Sequence, residues 1–165
     1  MTAARPSGRV LALDIGRSRT GLAISDVTGT LATPFGVITA QPPLAEVVRT
    51  ADQLAAEADG LAAIVVGRPL RLDGRPGPQT AEVDAFVVRL RGRTSLPVYL
   101  QDERLTSVEA EAKLAVREPD WRRRKARLDA AAAAVILQDF LDAPSVPAGA
   151  APAGPDAGSG QEPGV

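Results

Sequence analysis

Cysteine and histidine are both absent from the 165 residues. Without cysteine there can be no disulfide, no thiolate nucleophile and no Cys-ligated zinc or iron–sulfur centre. Without histidine, His-based catalytic triads, His-ligated metals and the common neutral-pH proton shuttle are excluded as well. The only two lysines, Lys113 and Lys125, do not follow glycine, so the GxxxxGK[ST] phosphate loop is missing, and no GxGxxG occurs. No apolar run approaches the roughly 20 residues that span a bilayer, and the opening MTAARPSGRV has no signal-peptide pattern. A cytoplasmic protein with no membrane partner is expected. Any catalysis must rest on carboxylates, hydroxyls, Lys, Arg or a bound metal.

Hydrophobic residues make up 45% and charged residues 24%, which is ordinary for a globular domain, although aromatics reach only 3% because alanine is used instead. The length fits one domain. Residues 143–165 are rich in Ala, Pro and Gly and hold too few large apolar groups to offset the entropy of ordering them. They are expected to form a disordered tail, and residues 1–8 a flexible N-terminus, around a domain over 9–142.

Within that domain, Arg9–Ile15 (RVLALDI) is an apolar run of buried-strand type, and Thr20–Ser25 follows after a short turn. Thr30–Thr39, interrupted by Pro34 and Gly36, reads as an edge strand, which completes an antiparallel meander. The 3.6-residue spacing predicts helices over Leu44–Ala58 and Gln79–Arg91, with strands at Ala62–Val66 and Pro97–Leu100. Thr106-Ser107-Val108-Glu109 matches a capping box, which predicts a helix to about Val116, and an Ala-rich helix follows over Arg122–Leu141. Right-handed crossovers then give an α/β fold: a mixed five-stranded sheet, three antiparallel strands and then parallel crossovers, with helices on both faces.

Three acids stand out. Asp14 lies in the first strand among Leu11, Ala12, Leu13 and Ile15, where a carboxylate needs a cation, either Arg17 or Arg19 across the turn or a metal. Glu103 follows the fifth strand, at the edge where ligands gather in parallel sheets, or it is simply an exposed helix-entry acid beside Asp102. Asp129 shares a helix face with Ala133 and Ile136, or else it answers the helix dipole and the nearby basic residues. Three acids on three elements suit a hard divalent cation held by oxygen ligands. Spacing alone leaves their convergence open.

Residues 117–127 carry six basic side chains against two acids in a chain of net charge −1, the footprint of a phosphate-backbone contact or of a solvated helix start. Arg68, Arg71 and Arg75 in a Gly/Pro loop, and Arg17 and Arg19 in the first turn, are candidates to extend it. Trp121 is either a base-stacking platform or a packing anchor.

The blocks LALDIGRSRTGLAISD, IVVGRPLRLDGRPGPQT, VYLQDERLTSVEAEAKL and KARLDAAAAAVILQDFL resemble, in order and spacing, the motifs of the YqgF family, also called the RuvX or Holliday junction resolvase-like family. The resemblance covers about Arg9 to Asp142. It implies an RNase H-like fold and a hydrolase: a metal-dependent nuclease of ribosome biogenesis that processes the 5′ end of pre-16S ribosomal RNA. Carried over, the catalytic and metal-binding acids are Asp14, Glu103 and Asp129, with Mg²⁺ or Mn²⁺ as cofactor. Arg17, Arg71, Arg122, Arg123, Arg124 and Lys125 are then the candidate contacts to nucleic acid. Partners would be the ribosomal RNA precursor, or alternatively branched DNA, with ribosomal particles; the chain would act as a monomer or homodimer. A Holliday junction resolvase of DNA recombination and a non-catalytic RNase H-fold binding module are the competing readings. Two departures from the family pattern, Arg68 before Pro69-Leu70 and Ser107 within DERLTS, remove no expected ligand.

Overall fold

The computed structural model describes residues 6–103 and 116–144. Strands β1 (Val10–Ile15), β2 (Thr20–Ser25) and β3 (Ala32–Ile38) come first, then helix α1 (Leu44–Ala56) and strand β4 (Ala63–Arg68). Helix α2 (Pro78–Arg91), strand β5 (Val98–Asp102) and helix α3 (Trp121–Asp142) complete the described elements. The sheet order is β3-β2-β1-β4-β5, with β1–β2 and β2–β3 antiparallel and β1–β4 and β4–β5 parallel. This is the mixed five-stranded arrangement that the RNase H-like reading expects. The helix expected from Thr106 lies, but for Val116, outside the described residues, as do residues 1–5 and the tail from 145 onward.

Side chains alternate across a strand, so each strand splits its apolar residues between two cores. Leu11, Leu13, Ile64, Val66 and Val98 face α1 and α2, which contribute Val47, Leu54, Val83 and Leu90. Val10, Ala12, Ala63, Val65 and Tyr99 face α3, which contributes Ala133, Ile136, Leu137 and Phe140. Ala130–Ala133 are all buried, and their small side chains let α3 lie close over β1, β2 and β3.

Helix α2 begins at Pro78, one residue earlier than the periodicity predicts, because proline's fixed φ suits the first helical position. Helix α3 is capped by Asp120, whose carboxylate accepts from the backbone N–H of Arg122 and Arg123 at 3.0 and 3.2 Å. Near its other end Gln138 clamps the β2–β3 hairpin, accepting from Ala32 N–H and donating to the Thr30 carbonyl, both at 2.9 Å. None of the described helices is long and apolar enough to cross a membrane.

β4 and β5 each run two residues past their predicted ends, with Gly67 paired to Gln101 and Arg68 to Asp102. Their apolar runs stop sooner because those four positions face a site on one side and α2 on the other. β3 is the edge strand that Pro34 indicated. Between Leu22↔Gly36 and Ala23↔Pro34 the register slips, so Phe35 is an extra, bulged residue.

The turn into β3 carries its own testable electrostatics. Asp26 Oδ1 accepts from Thr30 N–H at 2.8 Å and Leu31 N–H at 3.0 Å, and Thr28 donates to Oδ2. The Leu31 N–H, the Thr28 hydroxyl and the Thr30 N–H together lower the Asp26 pKa from 3.8 to about 2. A depressed carboxyl stabilises the fold at pH values above its unfolded pKa, and that stabilisation is lost as pH falls through the folded value. Carboxyl NMR titration should therefore find Asp26 half-protonated near pH 2, and Asp26→Asn should remove the part of the acid-unfolding limb between about pH 4 and pH 2. A midpoint near 3.8 would contradict the turn geometry.

Candidate active site

The carboxyl ends of the parallel strands β1, β4 and β5 open on one edge of the sheet. Strand alternation puts Asp14 on the α3 face, in line with Val10 and Ala12. Leu13 pairs with Val66, so Asp14 and Gly67 are the next residues of neighbouring strands. Gly67 forms a notch: a Cβ there would come within 2.3 Å of Glu103 Oε1 and 2.7 Å of Ile136 Cδ1. The Glu103 carboxylate therefore lies over Gly67, under α3. Asp14 pairs across β1–β2 with Gly21, where a Cβ would stand only 2.0 Å from the Asp129 carbonyl oxygen. Gly21 thus seats the backbone of Asp129 beside Asp14.

The fold brings the elements carrying Asp14, Glu103 and Asp129 to one face of one edge, and all three residues are half-buried. Asp129 Oδ2 meets Arg19 Nε at 2.7 Å, with both side chains a little under a third exposed. Of the two readings open for Asp129, a cation partner is what the geometry contains, and it is Arg19 rather than Arg122–Lys125. Among the described residues no three carboxylates already form a metal cage. The donor set nevertheless suits a hard cation. The Glu103 carboxylate lies at the Gly67 notch, next to the strand position of Asp14, and Gln101, 4% exposed on the same face, has an Oε1 atom with no hydrogen-bond partner among the described residues.

The basic candidates separate into distinct places. Arg17 is exposed on the β1–β2 turn, which closes through Gly16 N–H to the Arg19 carbonyl at 2.9 Å. Arg71 is exposed in the loop after β4, at the same edge, and Arg122, Arg123, Arg124 and Lys125 are exposed on the first turns of α3. At 1.5 Å per residue, Arg122 lies about 10 Å along the helix from Asp129. Trp121 is 66% exposed with the Arg122 guanidinium 5.1 Å from its ring centre, so it is no packing anchor.

Arg68 does not extend the basic edge. Its side chain crosses to the α2 face and grips Asp84 through two bonds, Nε–Oδ1 and Nη2–Oδ2, each 2.9 Å. This pairing holds the Asp84 carboxyl below its ordinary value against the opposing effect of burial. Arg68→Ala should cost at most about 1 kcal/mol in a thermal melt, as partly exposed pairs do, and leave nucleic-acid affinity unchanged. A tenfold loss of affinity would place Arg68 in the interface after all.

Comparison with known proteins identifies the family. The family model described as "RuvX: Holliday junction resolvase" matches residues 8–143. The chain belongs to the RuvX family. A RuvX relative from Roseiflexus sp. (strain RS-1), named "Putative pre-16S rRNA nuclease", is 42% identical over 135 residues, covering 82% of this chain and 94% of the relative. One of the same name from Thiobacillus denitrificans is 41% identical over 143 residues, covering 87% and 97%. Among solved structures, T. thermophilus RuvC in complex with Holliday junction substrate aligns with TM-score 0.47 at 15% identity, over 81% of this chain and 93% of that one.

Sequence reasoning did not single out Gly21, Gly67 or Gln101 for the site. The second glycine of the DIGRSRTG stretch was the available signal for Gly21, but that it makes room for a helix is evident only once α3 is laid on it.

Proposed function

We propose that this RuvX chain is a metal-dependent endonuclease that hydrolyses a phosphodiester bond near the 5′ end of pre-16S ribosomal RNA in the cytoplasm. The observation that carries the reading is the shared face of Asp14, Gly67 and Glu103 beneath the helix bearing Asp129. The family match and the names of the relatives support the reaction class.

Asp14, Glu103 and Asp129 would hold Mg²⁺ or Mn²⁺. When bound, such an ion supplies Lewis-acid polarisation of the phosphate and lowers the pKa of water. The chain's own residues supply position and charge. Asp14 stands on β1 and Glu103 directly after β5, with β4 between them in the same sheet, so their separation is set by the sheet before substrate arrives. Arg19 balances the charge of Asp129 through their ion pair. Arg17, Arg71, Arg122, Arg123, Arg124 and Lys125 would hold phosphates on either side of the cut, and each lost contact should weaken binding and flatten its salt dependence.

The family description favours a second reading, a resolvase acting on four-way DNA, for which a homodimer with paired sites would match a two-fold substrate. The purified protein should be incubated with an RNA carrying the precursor 5′ flank and with a four-way DNA junction, each with Mn²⁺ and with chelator. Cleavage confined to RNA and abolished by chelator is the expected result. Junction cutting would promote the resolvase, and binding without cleavage of either would favour a non-catalytic module.

A further inference from the structure

Beside the acidic edge, between the bulged edge strand β3 and the first turns of α3, lies an open groove of about 1000 Å³. Four guanidinium side chains line it, those of Arg19, Arg117, Arg122 and Arg127, and among the described residues none of the lining is acidic. Arg19 is paired with Asp129, and Arg127 with Glu118 at 3.1 Å. Arg117 and Arg122 have no carboxylate partner among the described residues. Apart from Thr39, the rest of the wall is apolar or glycine, with Phe35, Val37 and Ala130 prominent. Phe35 is the extra residue of the β3 bulge and stays 48% exposed, although it sits in a strand whose neighbours are paired. A bulge re-aims a side chain, and this one presents an aromatic ring in a cationic groove.

We propose that this groove binds an unpaired strand of the RNA substrate, with a base against Phe35 and phosphates on Arg117 and Arg122. The inference rests on the RNA-nuclease reading and adds which form of RNA is taken and where. Arg117 and Arg122, the two groove guanidinium groups left without a carboxylate partner among the described residues, call for an anionic chain such as a phosphate backbone. An aromatic face in the groove calls for a flat ring free to leave its stack, which an unpaired strand offers and a duplex does not. The volume is at the top of the roughly 300–1000 Å³ range of small-molecule sites, room for more than one nucleotide. Arg19 belongs both to the groove and to the Asp129 pair, so a strand lying in the groove runs directly to the acids.

The test is equilibrium binding in chelator, where no cleavage intervenes, using a fluorescein-labelled single-stranded RNA and the same RNA annealed to its complement. Phe35→Ala should weaken single-strand binding about tenfold and duplex binding hardly at all. Arg117→Ala combined with Arg122→Ala should lower the slope of log K against log salt by about 1.4, at roughly 0.7 per lost single-strand contact. Unchanged single-strand affinity in both variants would overturn the proposal, and so would equal losses on single and double strands with Phe35→Ala. Asp14→Asn serves as the separate arm. If it still cleaves, the acidic-site reading fails while the groove is judged on binding alone.

Discussion

Gly21→Ala is expected to destabilise the protein by about 3 kcal/mol, at the upper end of the usual cost of overpacking, and to lower Tm by roughly 10 °C. The added methyl would stand 2.0 Å from the Asp129 carbonyl oxygen and 2.5 Å from its carbonyl carbon. Those are backbone atoms in the middle of a helix, so no rotamer change relieves the clash. Helix α3 has to lift or β2 has to sink, and either motion loosens the core that Ala12, Ala23, Ala133 and Leu137 share. The same displacement carries Asp129 away from Asp14, so cleavage should fall further than the loss of folded protein explains. Gly36→Ala is the control, since a Cβ there meets nothing within 4 Å. Thermal melts of the two variants decide the matter. A Gly21→Ala protein that melts with wild type would mean that α3 is not seated on β2 in this way.

Gly21 also shows where reading the residues stops. The apolar runs RVLALDI and AAIVV marked buried strands, and the helical spacing of Leu44, Val47, Val48 and Leu54 marked α1, because burial leaves its period in the chain. Pro34 correctly assigned β3 to the edge, since its ring cannot donate to a ladder. What burial does not encode was missed. The last two residues of β4 and of β5 are polar or glycine, with Gly67 and Gln101 on the face of the candidate site and Arg68 turned to Asp84 of α2, so hydrophobicity ended those strands too soon. Arg68 carries the same charge as Arg71 three positions further on, yet strand alternation turns it to Asp84 on the far face. The pairing of Arg19 with Asp129 joins residues 110 positions apart, and only the packing of α3 on β2 reveals it. The three acids were recognisable as candidates, and the resemblance to one family grouped them, but the two glycine notches that bring their elements together carry no side chain to notice.

Asp14→Asn should abolish cleavage, by at least about 1000-fold, while leaving Tm within a few degrees of wild type. Asparagine keeps the shape of aspartate and one of its acceptor oxygens, so the packing of β1 against α3 is retained. The charge is what goes. A carboxylate aimed at a reacting phosphate acts through a fixed field in a partly dry site, and removing one such group costs on the order of 100- to 1000-fold even where the rest of the site survives. Here the loss should be at the upper end, because Asp14 lies on the central strand β1, paired with Gly21, over which the Asp129 backbone sits. Gly67→Ala offers an independent approach to the same centre. Its methyl meets the tips of Glu103 and Ile136, which can turn aside, so stability should fall less than in Gly21→Ala while the Glu103 carboxylate is driven off its place. Single-turnover cleavage of the precursor RNA, measured beside a melt for each variant, separates the two effects. Full activity in Asp14→Asn would remove the acidic edge from the chemistry. Full activity in Gly67→Ala, with Asp14→Asn inactive, would mean that Glu103 need not lie over the notch for the bond to be cut.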